Sequence, residues 1–366
     1  MPTADVHACS CDANRPHCSA LGSPGLLFGP EAPVRAKPDL PLDAVGVGNA
    51  IVDVIANVSD DFLVEQGVVK GAMTLIDADR ATSLYAVMPP GMEVSGGSAA
   101  NTMAGIASLG GRASYIGKVR DDQLGEVFRH DTKAGGVAFD VPAATVGEPT
   151  ARSLIQVTPD GERSMNTFLG ISAYLSPTDI DESLVESAAI TYCEGYLWDR
   201  PEAKDAIRHA MKVASDAGRI VSLTLSDSFC VERHRAEWLD LIADHVDLVF
   251  ANEAEACSMF ETDDFDAAVD GLADLVEVAA VTRSAKGSVV MFGGERIDIG
   301  VTPADHVVDA TGAGDQYAAG FIYGLSIGAD MLRCGELGSI AAGEVISHVG
   351  ARPHVELAQL IRAPHS

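Results

Sequence analysis

The residues best suited to chemistry lie in one seven-residue stretch, Asp309-Ala310-Thr311-Gly312-Ala313-Gly314-Asp315. Two glycines around one small residue permit a tight turn and leave no side chain between backbone and ligand. From Gln316 onward, Tyr317, Ala318, Phe321, Ile322 and Leu325 recur at helical spacing, so the turn is read as a helix N-terminus. The first N–H groups of a helix have no intrahelical acceptor, and the dipole adds roughly +0.5 charge there. Gly312, Ala313 and Gly314 can therefore offer donors to an anion, a phosphate oxygen best of all. Asp315 falls in the first helical turn beside that site, where a carboxylate can take the proton of an alcohol attacking phosphorus. The plainer role for Asp315 is to cap the helix after a turn. Gly320 and Gly324 inside the same helix each cost about 1 kcal/mol relative to alanine, which close packing against a sheet would explain.

Other polar residues stand where the chain offers few reasons for them. Residues 44 to 58 read as one apolar core strand with a glycine break. Asn49 and Asp53, four apart, are expected on one face of it, where a ligand's vicinal hydroxyls would satisfy both. Ser95-Gly96-Gly97-Ser98 precedes a helix over about 99 to 109, and Asn101 lies in its first turn; Ser98 alone could be an N-cap. Asn252 and Glu255, three apart at a strand-to-helix junction, share a helix face. Their amide oxygen and carboxylate suit Mg²⁺, which usually keeps several waters. Arg163 follows a hairpin turn at Pro159-Asp160-Gly161-Glu162 and is placed either to reach over phosphates or simply in solvent.

Two familiar phosphate loops do not fit. A Walker loop needs G-x-x-x-x-G-K-[ST], whereas Gly314 is followed by Asp315. A dinucleotide fingerprint needs a small residue three after its second glycine. That place holds Tyr317 here, and Ile51 after the earlier Gly46-Val47-Gly48.

The elements that must position these residues read as follows. From Ser176 helical and strand patterns alternate: strands at 189 to 193 and 220 to 225, helices at 201 to 217 and 232 to 243, then the strand ending at Asn252. Such alternation implies a mostly parallel sheet with helices on both faces, and ligands at the strands' C-terminal ends. A short strand at 68 to 76 and a hairpin at 149 to 170 stand apart from it. Residues 1 to 40 carry no periodicity and read as a disordered extension. The spacing of His7, Cys9, Cys11, His17 and Cys18 within them matches no zinc pattern.

Composition limits the partners. A chain of 366 residues, 47% apolar, can bury a large core, and its net charge of −28 repels nucleic acid and anionic lipid surfaces. Seven cysteines scattered without pairing pattern suggest reduced thiols and a cytoplasmic protein. No run of eighteen apolar residues predicts a membrane span.

The D-A-T-G-A-G-D-x-x-x-x-G stretch resembles the second signature of the ribokinase-like (PfkB) carbohydrate kinase family. Gly117-Lys118-Val119-Arg120-Asp121-Asp122-Gln123-Leu124-Gly125 resembles the first. The resemblance covers roughly residues 44 to 356 and implies a ribokinase-like α/β domain over 41 to 366. In it, a small β-sheet lid is formed by about 54 to 77 and 148 to 170.

It further implies a catalytic Asp315, sugar binding by the first-strand Asp53, Mg²⁺ and phosphate at the N-x-x-E of Asn252 and Glu255, and a lid arginine, Arg163, near the phosphates. Thr282, Lys286 and Gly287 resemble the T-x-G-x-x-G nucleotide loop, with Ser284 where glycine is usual. The region near Asp309 and Thr311 is implied to hold K⁺ through carbonyl oxygens.

Within the family, Leu223-Thr224-Leu225-Ser226-Asp227-Ser228-Phe229 and the G-G-S-x-x-N segment (Gly97, Ser98, Asn101) look most like the adenosine kinase branch. Phe229 or Phe168 would wall off a purine there, and Asn49, Asp53 and Asn101 would hold ribose hydroxyls. The expectation is an ATP- and Mg²⁺-dependent kinase acting on a nucleoside 5′-hydroxyl, as a monomer or homodimer. A sugar kinase acting on ribose, fructose or a keto-sugar acid is the alternative, and a non-catalytic sensor is a third reading.

Overall fold

The computed structural model describes residues 40 to 361 except 305; the N-terminal extension, with its histidines and cysteines, lies outside the described residues. Among the described residues, fourteen strands divide between two sheets. In chain order they are β1 (Leu42–Val47), β2 (Ile51–Asn57), β3 (Met73–Leu75), β4 (Met92–Gly96), β5 (Ala113–Ile116), β6 (Val137–Ala138) and β7 (Ala151–Val157). Then follow β8 (Arg163–Phe168), β9 (Ala188–Glu194), β10 (Ile220–Thr224), β11 (Leu248–Asn252), β12 (Val278–Thr282), β13 (Ser288–Phe292) and β14 (Glu295–Ile299).

The large sheet has the order β14-β13-β12-β11-β10-β9-β1-β5-β6. Its pairs are parallel from β12 to β6, and the pairs β12-β13 and β13-β14 are antiparallel, so β13 alone runs against the rest. The parallel strands are apolar on both faces, as β9 and β11 illustrate, because helices cover both sides. The small sheet has the order β3-β8-β7-β2-β4. It takes in β4 and starts at Ile51, beyond the two segments expected from the sequence.

Residues 44 to 58 are not one strand. Pairing stops after Val47 and resumes at Ile51 in the other sheet, so the chain crosses between sheets at Gly48-Asn49-Ala50. Asn49 and Asp53 are therefore brought together by a sheet switch, not by strand periodicity.

The glycines of helix Ala313–Ser326 face Met331–Val345, not the sheet, which the helix meets instead through larger side chains, Phe321 on Phe250 and Tyr317 on Ser288. A Cβ at Gly320 would overlap the Leu337 backbone, one at Gly324 would meet Cys334, and one at Gly338 would meet Tyr317. Helix Ser98–Ser108 approaches the same helix closely, with Gly105 against Gln316 and Ala319. Small residues thus let three backbones converge behind Asp315. Among the described residues no helix is long and apolar enough to cross a membrane.

Candidate active site

The C-terminal ends of β1, β9, β10, β11 and β12 face one cavity of about 730 Å³, covered by the small sheet. Gly312, Ala313, Gly314 and Asp315 line it. Gly312 is the N-cap of Ala313–Ser326 at φ 79°, and a Cβ there would strike Ala351, so glycine is required for both conformation and space. A Cβ at Gly314 meets nothing within 4 Å, so this stretch of backbone is open.

Asp315 is fixed from the helix Ser98–Ser108. Ser98 Oγ donates to Oδ1 at 2.6 Å and Asn101 Nδ2 donates to Oδ2 at 3.1 Å. Burial raises its pKa, opposed by these two hydrogen bonds and by the charge of Arg352. The result is a carboxylate of enhanced basicity that still has lone pairs for an alcohol proton.

Asn49, Asp53 and Gly97 line the same cavity. Burial pushes Asp53 up to about 6, against the charges of Arg163 and Arg352 and with help from Asp315. Gly97, at φ 99°, lies where a Cβ would strike the Asn49 carbonyl, and a Cβ at Gly96 would crowd the Asp53 carboxylate.

Behind Asn49 lies a residue that the sequence reading missed. Glu194, fully buried at the end of β9, accepts from Asn49 N at 2.7 Å, Asn49 Nδ2 at 2.8 Å and Ala99 N at 2.9 Å. Burial lifts it to about 7 despite these bonds. Its signal was available: a glutamate closing an otherwise apolar strand. Ser172 Oγ completes the Asn49 amide at 2.8 Å.

The far end of the cavity carries Asn252, Glu255 and Thr282. Asn252 and Glu255 form a reciprocal capping box: Asn252 Oδ1 accepts from Glu255 N at 2.9 Å, and Glu255 Oε2 accepts from Asn252 N at 3.0 Å. Burial raises Glu255 to about 7, the Asn252 N–H opposes this, and the charges of Asp227 and Asp315 add to it. Carboxylates facing one cavity in this way suit a divalent cation. The box uses the amide oxygen, and among the described residues no group of three or more His, Cys, Asp or Glu is arranged to hold a metal directly. The donor set therefore fits Mg²⁺ held through water.

Lys286 and Gly287 do not line the cavity. Lys286 pairs with Glu253, and Gly287 at φ 86° packs where a Cβ would strike the Ile299 carbonyl. Ser284, at the usual glycine position, adopts φ 50°. Arg163 reaches the signature loop, pairing with Asp309 and lying 3.4 Å from Thr311 Oγ1. Asp309 also accepts from Gly350 N at 3.0 Å and Thr311 N at 2.9 Å, so its side chain is committed within the protein.

Phe229 lines the cavity and is 66% exposed, facing the same space as Met73 and Leu75 of β3. Phe168 is buried and does not line it, packing beside Gly170; its neighbour Leu169 does.

Comparison with known proteins gives the family and the fold. Residues 68 to 357 match the pfkB family carbohydrate kinases. The crystal structure of adenosine kinase from Sinorhizobium meliloti has a TM-score of 0.82 and 54% identity, covering 88% of this chain and 98% of that one. A probable sugar kinase from Rhizobium etli CFN 42 gives 0.83 and 49%, with the same coverage. The adenosine kinase of Saccharomyces cerevisiae is 26% identical over 329 residues, 84% of this chain and 95% of its own length.

Proposed function

The chain belongs to the pfkB family of carbohydrate kinases, and from that premise we propose that it transfers the γ-phosphoryl of ATP to the 5′-hydroxyl of a ribonucleoside, adenosine first. The observation that carries this reading is the Asp315 carboxylate placed between two ends of one cavity. On one side is a polar pocket of Asn49, Asp53, Ser98 and Asn101, and on the other the open backbone of the helix N-terminus.

Asp53 and Asn101 hold the ribose hydroxyls, with Asn49 kept in place by Glu194. Asp315 accepts the 5′-hydroxyl proton as the oxygen attacks, and the amides of Gly312, Ala313 and Gly314 receive the charge that develops on the transferred group. Mg²⁺, when bound, neutralises and orients the ATP phosphates. Asn252 and Glu255 would hold it through water, and Thr282 lies beside Asn252 on the neighbouring strand, where it would meet the nucleotide. Arg163 in the small sheet is in reach of the phosphates, and that sheet keeps water out. The region of Asp309 and Thr311 would hold K⁺ through main-chain oxygens alone, since the Asp309 carboxylate is paired with Arg163.

Two features favour a neutral nucleoside over an anionic sugar acid. The acceptor pocket presents the carboxylates of Asp53, Glu194 and Asp315, and an apolar wall of Met73, Leu75 and Phe229 suits a nucleobase. ATP consumption over adenosine, inosine, ribose and fructose tests the assignment, with adenosine expected to give the highest kcat/KM. Asp315→Asn should lose about 10²–10⁴ in kcat. A preference for free ribose or fructose would reject the nucleoside assignment, and undiminished turnover in Asp315→Asn would reject the base.

A further inference from the structure

Arg352 enters the site on a segment that neither signature contains. The segment is pinned on the anion turn: Gly350 N donates to Asp309 Oδ2 at 3.0 Å and Gln316 Nε2 donates to Ala351 O at 3.0 Å. Further along, His354 N donates to Glu344 Oε1 at 3.0 Å. The guanidinium is thereby delivered behind the acceptor pocket. Its Nε donates to Asn101 Oδ1 at 3.2 Å and its Nη1 to Ser95 Oγ at 2.5 Å, while Nη2 is buried without a partner.

This contact decides which way the Asn101 amide points. An amide has one accepting and one donating end. Because Oδ1 is held by a guanidinium that only donates, Nδ2 must face Asp315, where it donates to Oδ2. With the amide reversed, its oxygen would oppose the carboxylate and its N–H₂ would oppose the guanidinium.

We infer that Arg352 is a positioning residue for the phosphoryl transfer: it locks the Asn101 amide onto Asp315 and places a buried positive charge behind this base. The inference rests on the reading of Asp315 as the base. Asp53, Tyr192, Glu194, Tyr196 and Glu255 also face Asp315, and none of them is a cation. Arg352 is the cation whose charge bears on it. Removing that charge leaves burial less opposed, so the carboxylate protonates at higher pH.

The test is the pH dependence of kcat with adenosine in Arg352→Met, Arg352→Lys, Asn101→Ala and the double variant Asn101→Ala/Arg352→Met. In Arg352→Met the acidic limb should move to higher pH and kcat at its plateau should fall about tenfold or more, because the base is misplaced. The KM for ATP should stay unchanged. Lysine keeps the charge but lacks the fork that holds Ser95 and Asn101 together, so Arg352→Lys should restore the limb and not the plateau. The loss caused by Arg352→Met should shrink when Asn101 is already alanine.

An unmoved limb with a wild-type plateau in Arg352→Met, or losses that simply multiply in the double variant, would overturn the inference. If circular dichroism shows Arg352→Met unfolded, Arg352→Lys decides alone: a lowered plateau supports the inference and a wild-type plateau overturns it. Asp315→Asn separates the two layers. An inactive Asp315→Asn beside an unaffected Arg352→Met removes only the role of Arg352, whereas an active Asp315→Asn removes the base beneath both.

Discussion

Arg163 of the small sheet is ion-paired with Asp309, in the loop that leads into the anion turn. Both side chains are largely buried, at 11% and 6% exposure, so the pair is shielded from the solvent that weakens surface bridges. Burial alone would raise the Asp309 pKa. The Gly350 N–H, the bonds to Thr311 and the Arg163 charge outweigh it and leave the pKa lowered. The small sheet is thus fastened to the loop that leads into the glycine turn at the cavity.

Arg163→Gln should loosen that attachment. We expect kcat with adenosine to fall about 10- to 100-fold through lost positioning, and ATP hydrolysis without acceptor to rise relative to transfer. Coupled assays for ADP and for phosphorylated nucleoside measure both. Equal ratios in variant and wild type would show that the pair does not hold the cavity closed.

The two glycines of the turn should respond in opposite ways. Gly314→Ala places a methyl in open space and improves helix propensity by about 1 kcal/mol, so the fold should be at least as stable. The methyl would stand beside the amides that face the phosphoryl group, and kcat should drop. Gly312→Ala, at φ 79° and against Ala351, should instead lower the melting temperature. Thermal melts and kinetics on the two variants separate the roles.

Asp53 makes stability depend on pH. Its pKa rises from an ordinary 3.8 to about 6 in the folded chain, so the folded state binds the proton more tightly than the unfolded one. That contribution is fully present below pH 3.8 and is lost as pH rises through about 6. Asp53→Asn removes the penalised charge. Ligand-free Asp53→Asn should therefore melt higher than wild type above that pH, the gap closing as pH falls, while its KM for nucleoside increases. A melting difference independent of pH would contradict the linkage.

Phe229 is exposed in the cavity, so truncating it should leave the fold intact. Base–aromatic stacking is worth about 1–3 kcal/mol, which puts the expected rise in KM for adenosine in Phe229→Ala at about 5- to 150-fold. Turnover of free ribose, which has no base to stack, should not change. An unaltered adenosine KM would exclude Phe229 from the base site.

Much of this site was legible in the chain. Gly312, Gly314 and Asp315 were legible as a helix start with a carboxylate in its first turn, and the structure places all three on the cavity, because that arrangement is local: two flexible residues and a carboxylate within one turn. The capping box of Asn252 and Glu255 is local in the same way, three residues apart, and the βα alternation implied the parallel sheet. Where the reading went astray, the deciding contact lay between distant segments. Phe168 and Phe229 have the same side chain, yet Phe168 is buried at the end of β8 beside Gly170 while Phe229 is left facing the cavity.

The sequence alone determined which residues can donate, accept and turn, because those properties belong to a residue and its near neighbours. Tertiary structure decided what they act upon. Asn49 and Asp53 meet because the chain changes sheets at Gly48 to Ala50, Glu194 is drawn under them from β9, and Arg352 reaches Asn101 across 251 residues of chain. No spacing encodes such meetings, since they follow from how two sheets and three closely packed helices fill space around one cavity.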